Sequence, residues 1–174
     1  MKQEYDFVPL KLKEAQSFVE LHHRHSKPLE RHRFSIGAKV ISKSFADPME
    51  AINGVVTVDN CSSAWSKNYD FMEIRRLCVL DGHKNLASQL LGRACTACFA
   101  MGASLIVTYT KPYESCSSLL ASGFRLTKVK VSKSPERKAR GLLRWTKGKP
   151  DSRYDIKDDR KLLNKFKEFI ATPI

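Results

Sequence analysis

Four of the five histidines, His22, His23, His25 and His32, fall within the eleven positions HHRHSKPLERH. Imidazole is the side chain that binds metals or moves protons near neutral pH, and its cation also suits the C-terminal end of a helix. His22 and His25 are three apart, so on a continuing helix they share one face, where they could hold a metal or act as a general base. No Cys or carboxylate accompanies them at ligand spacing, so a closed zinc site is not expected. An active-site cluster and a basic helix end both stay open at this point.

Four further sets of residues have types suited to chemistry. In FMEIRRLCVL, Arg75 and Arg76 are consecutive on an expected strand and so are expected on opposite faces. Glu73 shares a face with Arg75, and an interior guanidinium without an anion would be costly. Asn85 and Ser88 fit an N-cap and a first-turn hydroxyl. Tyr109 and Glu114 follow the end of a central strand, where a proton donor and a base would be useful. Cys95 and Cys98 have CxxC spacing, but they fall inside a helix and are expected in the core.

Residues 125–149 carry ten Lys or Arg against a single acid, Glu136. A charge run of this kind is usually a solvated surface, yet it also suits phosphate contacts through Lys133, Arg137, Lys138, Arg140 and Arg144. The whole chain has 31 Lys and Arg against 18 Asp and Glu, a formal charge of +13, which predicts attraction to a polyanion such as nucleic acid.

The elements that must position these residues can be read from periodicity. Tyr5 to Leu10 suits a short strand. KLKEAQSFVELHHRH places Leu12, Ala15, Phe18, Val19 and His22 on one helical stripe that ends at Lys27-Pro28. RHRFSIGAKVI, AINGVVTVDN and FMEIRRLCVL read as strands, the first two antiparallel neighbours. NLASQLLGRACTACFAMG is a helix with Leu86, Leu90, Leu91, Ala94, Cys95 and Cys98 inside. ASLIVTYT is an apolar, central strand. A helix opened by Pro112 and stopped by Gly123 follows, then a basic hairpin and a charged helix over residues 151–170. The order is β-α-β-β-β-α-β-α-β-β-α.

With 174 residues the chain suits one domain over residues 1–150 and a charged C-terminal helix over 151–174. Five cysteines, mostly within apolar stretches, fit reduced thiols in the cytoplasm. No apolar run approaches the roughly 18 residues of a membrane span, and no signal-peptide pattern opens the chain, so no membrane partner is expected.

The order of elements resembles the GNAT acyltransferase fold, an α/β (α+β) fold with a mixed central sheet, splayed central strands and flanking helices. The stretches that carry the resemblance are LCVLDGHKNLASQLLGRA and LIVTYTKPYESCSSLLASGF. The resemblance implies that acetyl-CoA or a related acyl donor binds at Cys78, Val79, Gly82, His83, Lys84, Asn85, Leu86 and Ala87. Two departures stand out: DGHKNLA offers only Gly82 where the family's loop has more glycine, and Leu119 stands where many members carry a tyrosine acid. Another donor, or metal-assisted chemistry, is the alternative.

A more specific pattern is His22, His23 and His25; Glu73, Arg76, Leu77 and Cys78; Asn85 and Ser88; and Thr108, Tyr109, Thr110 and Glu114. It resembles GNAT-like proteins of phages and prophages and, distantly, the Mom family, which modifies DNA adenines against restriction. Over roughly residues 15 to 125, that resemblance implies His22, His23, His25, Arg76, Ser88, Tyr109 and Glu114 as catalytic candidates and a DNA amine as the acceptor. It also gives Tyr109, the histidines and Trp65 as base clamps, with Arg76 and the basic hairpin on phosphates. An ordinary protein or small-molecule N-acetyltransferase and an inactive binding scaffold are the rival expectations.

Overall fold

The computed structural model describes residues 3–23, 27, 29–41, 52–61, 70–111, 113–130 and 142–148. Seven strands, β1 (Tyr5–Leu10), β2 (Phe34–Val40), β3 (Ile52–Asn60), β4 (Phe71–Val79), β5 (Leu105–Thr110), β6 (Arg125–Lys130) and β7 (Leu142–Gly148), form one sheet in the order β1-β2-β3-β4-β5-β7-β6. Every neighbouring pair is antiparallel except β4 and β5, which are parallel and therefore need a crossover helix. That helix is α2 (Leu86–Ala100); α1 (Leu12–His22) and α3 (Ser117–Ala121) are the others. The mixed α/β class and the expected order of elements are both observed here; the expected helix after residue 150 lies outside the described residues.

The sheet is covered on both faces. One face packs against α2 and α3: Leu86, Leu90, Leu91, Ala94, Cys95 and Cys98 are the buried stripe of α2, as their spacing predicts, and meet Val56, Met72, Ile74, Ile106 and Trp145. The opposite face packs Val55 and Cys78 against Ala15 and Phe18 of α1. Gly54 lets α2 sit this close, because a Cβ there would stand 2.9 Å from Leu90 Cδ1 and 3.2 Å from Leu86 Cδ2. α3 ends at Gly123 as expected, where the Phe124 N–H returns to the Leu119 carbonyl.

Two elements end differently from their sequence patterns. α1 stops at His22, and His23 is already extended (φ −85°, ψ 121°), although the nearest proline is residue 28. His22 is therefore exposed and stacked on Phe18, with ring centroids 4.7 Å apart, rather than on the buried stripe. The face expected to be shared by His22 and His25 lies in part outside the described residues, because His25 does. α3 begins only at Ser117, so Glu114 lies in the turn before the helix and not in its first turn.

Candidate active site

The parallel pairing of β4 and β5 runs from Phe71–Leu105 to Ile74–Thr108 and then stops. At the last rung the Thr108 hydroxyl donates to the Ile74 carbonyl at 3.0 Å, closing the seam with a side chain. Beyond it β5 continues to pair with β7, while among the described residues Arg76 to Val79 of β4 pair with β3 and not with β5. The strands part, and the gap is a cleft of about 430 Å³ that runs between the two faces of the sheet.

One residue in β4 sets what lines the cleft. Thr57 pairs with Arg76 and Val58 with Ile74, which leaves Arg75 as the extra residue of a β-bulge. On the near side of the bulge, Met72 and Ile74 pack in the α2 core; beyond it, Leu77 and Val79 do so, while Cys78 faces α1. The alternation has slipped by one residue. Arg75 and Arg76 therefore do not face opposite sides, as strict alternation predicts. Both lie with Glu73 on the α1 side, and all three line the cleft.

Glu73 is 7% exposed and its carboxylate lies 3.5 Å from the Arg75 guanidinium, the pair that their spacing suggested. Arg76 donates from Nε and Nη2 to the Lys27 carbonyl at 3.0 and 2.9 Å and from Nη1 to the Arg75 carbonyl at 2.7 Å. It thus ties the segment after α1 to the bulge and satisfies a carbonyl of the strand that parts from β5. Burial, and then the neighbouring Arg75 charge, lower its pKa from the usual guanidinium value, against the pull of Glu73.

His23, at the C-cap of α1, completes the near wall. The far wall comes from the end of β5 and the turn before α3. It includes Tyr109, Thr110, Lys111, Glu114 and Ser118, with Leu91 and Leu119 as an apolar floor. The Glu114 carboxylate accepts from the Lys111 backbone N–H, which folds the turn back over the strand end. Behind it Thr110 Oγ1 accepts from the buried Trp145 Nε1 at 2.9 Å and lies 3.6 Å from Cys116 Sγ.

Of the expected catalytic residues, His23, Arg76, Tyr109 and Glu114 are brought together in this cleft. His22 points elsewhere, Ser88 donates to the Asn85 carbonyl within its own helix at 2.9 Å, and His25 lies outside the described residues, as does Trp65. Glu73, which the sequence offered as a partner for Arg75 and as part of the shared pattern but not as a catalytic candidate, also lines the cleft. Its signal was a carboxylate set among Phe71, Met72 and Ile74 in a central strand.

The turn between β4 and α2 is shaped by two residues with left-handed backbone. Gly82 (φ 87°) and Asn85 (φ 64°) both adopt left-handed backbone, so Asn, which tolerates that region, takes a position that glycine usually fills. In that conformation the Asn85 side chain makes no capping bond, contrary to its expected role, and the first amide of α2, Leu86 N–H, donates to the His83 carbonyl at 3.3 Å. His83 Nδ1 is 3.0 Å from the Tyr5 hydroxyl, which fixes the ring across the sheet edge to β1. Lys84 is exposed, Ala87 and Val79 are half-buried, and the Leu86 and Cys78 side chains are in the core, so those two can meet a ligand only through backbone.

Part of the basic hairpin has structural work. Lys147 Nζ donates to the Ser122 carbonyl at the end of α3 (2.6 Å), and Arg144 Nε donates to Thr127 Oγ1 (3.2 Å). Lys133, Arg137, Lys138 and Arg140 lie outside the described residues. Cys95 and Cys98 are core thiols whose pKa burial raises to about 11 and about 12, which argues against thiolate chemistry there. Among the described residues no group of three or more His, Cys, Asp or Glu is placed to hold a metal ion, and no helix is long and apolar enough to cross a membrane.

No protein-family model and no curated protein sequence matches the chain. Solved structures do match. An IAA acetyltransferase from Bacillus cereus is 16% identical, with 84% of this chain and 100% of that one covered at a TM-score of 0.58. A Bacillus subtilis acetyltransferase in complex with CoA is 15% identical over 85% and 99% of the two chains, at 0.57. A chain of the NatC complex bound to Gag peptide and CoA is 12% identical over 84% and 99%, at 0.61. A mixed sheet parted between its two parallel strands, with a left-handed turn leading into the crossover helix, is thus built on the fold of the GNAT acetyltransferases.

Proposed function

We propose that the chain is an acyl-CoA-dependent N-acyltransferase whose reaction takes place in the cleft between β4 and β5. The observation that carries this reading is the parting of those strands directly above a buried carboxylate, Glu73, in a fold shared with acetyltransferases. Two of the matching structures are described with CoA, and the turn here has the features such a donor needs. Gly82 leaves open space, the α2 amides lack a side-chain cap, and the edge of β4 beyond its pairing with β5 can bond an extended amide chain. Val79, Gly82, His83, Lys84, Asn85 and Ala87, with the backbone of Cys78 and Leu86, would hold it.

An acyl-CoA supplies a thioester, so that an amide bond forms to the acceptor nitrogen as the C–S bond breaks and the thiol leaves with a proton. The chain's own residues account for the proton transfers. Glu73 is placed to take the proton from the acceptor amine, with Arg75 beside it to balance the charge. Tyr109 and His23 line the same cleft and can return a proton to the leaving sulfur. Glu114 shapes the far wall by holding the Lys111 amide.

For the acceptor we favour an amino group on a DNA base, in a phage- or prophage-encoded enzyme that works in the host cytoplasm and shields DNA from restriction. The charge of +13 and the residue pattern shared with Mom-like proteins support it. A base within a duplex must be flipped out to react, and Tyr109 offers a stacking surface. Lys133, Arg137, Lys138, Arg140 and Arg144 belong to the basic run that would hold the backbone. On this reading residues 1–150 are one catalytic domain and 151–174 a charged helix attached to it. A conventional N-acetyltransferase is the second reading, favoured by the names of the matching structures.

The experiment is mass spectrometry of nucleosides from the DNA of cells that express the chain, against an empty vector. A new adduct on one nucleoside, with the mass of an acyl group, is the expected result. Unchanged nucleosides together with an acylated protein or small amine would overturn the DNA assignment in favour of the second reading.

A further inference from the structure

The two sides of the cleft are unlike. Glu73, Arg75 and Arg76 make the α1 side polar. On the α2 side the gap is lined by Ile74 and Leu77 of β4, Leu91 of α2 and Leu119 of α3, all of which pack in the α2 core. Two threonines share this side, because their register partners on β7 belong to the same core: Thr108 is opposite Trp145 and Thr110 opposite Leu143. Both hydroxyls are already committed. Thr108 Oγ1 donates to the Ile74 carbonyl at 3.0 Å, and Thr110 Oγ1 accepts from the Trp145 indole at 2.9 Å.

This distribution bears on the donor more than on the acceptor. The amine must reach Glu73, on the α1 side. Helix α2 and the turn that opens it lie on the other face, so a thioester held at that turn and bonded along the edge of β4 brings its acyl group to the α2 side of the gap. There the substituent on the thioester carbonyl meets four branched aliphatic side chains. The single methyl of an acetyl group touches only part of that lining, and each added methylene removes more apolar surface from water. Leu91 and Leu119, 1% and 5% exposed, form the floor and set how far a chain can extend.

We infer that the α2 side of the cleft is an acyl pocket that selects an unbranched aliphatic acyl group of three or four carbons in preference to acetyl. This selection rests on the acyl-transfer reading above and holds whatever the acceptor amine is.

The test needs no acceptor. Calorimetry on the full chain compares the binding of CoA, acetyl-CoA, propionyl-CoA, butyryl-CoA and octanoyl-CoA. Affinity is expected to rise about fourfold per methylene, about fifteenfold from acetyl to butyryl, and to fall again at octanoyl. Leu119→Phe raises the floor and is expected to reverse the order, so that acetyl-CoA binds more tightly than butyryl-CoA; the wild-type series decides the matter without it if that variant does not fold. Equal or falling affinities from acetyl to butyryl in the wild type would overturn the pocket, as would an unchanged order in folded Leu119→Phe. A rise that continues to octanoyl would overturn the limit assigned to Leu91 and Leu119. Failure of CoA and every acyl-CoA to bind would remove the acyl-transfer reading and the pocket with it, whereas binding led by acetyl-CoA removes the pocket alone.

Discussion

The two halves of β4 have nearly the same surroundings and opposite fates. From Phe71 to Ile74 the strand is paired on both edges and buried, with a single acid among apolar residues. Beyond Ile74 it keeps its β3 partner from Arg76 to Val79, loses β5, and turns two guanidiniums toward the opening. One extra residue separates the halves. The bulge breaks the seam, frees a carbonyl that Arg76 then satisfies, and puts Arg75 and Arg76 on the side of Glu73. A cleft of this kind is thus specified by an interruption of regular structure more than by the structure itself.

Removing the interruption should have the largest effect. Deletion of Arg75 restores strict alternation with Leu77 and Val79 still on the α2 core, and it removes both the irregularity at the cleft and the guanidinium beside Glu73. Thermal unfolding should stay cooperative, while acyl transfer should fall by about 10²-fold or more. Gly54→Ala tests the upper half through its neighbour. Its Cβ would press on Leu90, Val79 and Leu86, so denaturant unfolding should show a loss of about 1–3 kcal/mol.

Thr108→Val probes the junction between the halves. It leaves the Ile74 carbonyl without its hydroxyl donor and should cost about 1 kcal/mol, read as a downward shift in Tm of a few degrees. The smallest effect belongs to the α2 core remote from the cleft. Cys95 and Cys98 have thiol pKa values raised to about 11 and about 12, so between about pH 9 and those values the unfolded chain binds fewer protons than the folded one. Their contribution to stability is full below about pH 9 and is lost as pH rises through about 11. The stability difference between the wild type and a Cys95→Ala/Cys98→Ala variant should accordingly narrow from pH 8 to pH 10.5 in urea titrations.

Much of this fold was legible in the sequence because the hydrophobic effect writes periodic patterns. The α2 stripe, the apolar β5 and the hairpin of β6 and β7 each follow from spacing alone. The site was only partly legible. Arg75 and Arg76 were placed on opposite faces because alternation is the rule for a strand, and a bulge is decided by the partner strand, not by local propensity. The first helix was expected to run on to Lys27-Pro28, the nearest stop in the sequence, whereas the chain turns extended at His23. Asn85 was read as a side-chain cap, a role its left-handed backbone does not fulfil. In each case the local signal was correct about residue type and silent about the tertiary contact that prevailed.

The central claim is that the gap above Glu73 is where an acyl group passes to an amine. The most direct measurement is transfer by the purified full chain from acetyl-CoA to a single-stranded oligonucleotide, followed by release of the CoA thiol, for wild type and Glu73→Gln. The account predicts thiol release matched by nucleoside acylation in the wild type, and a loss of about 10²–10⁴-fold in the variant with acetyl-CoA binding retained. Transfer that proceeds equally well in Glu73→Gln would contradict it.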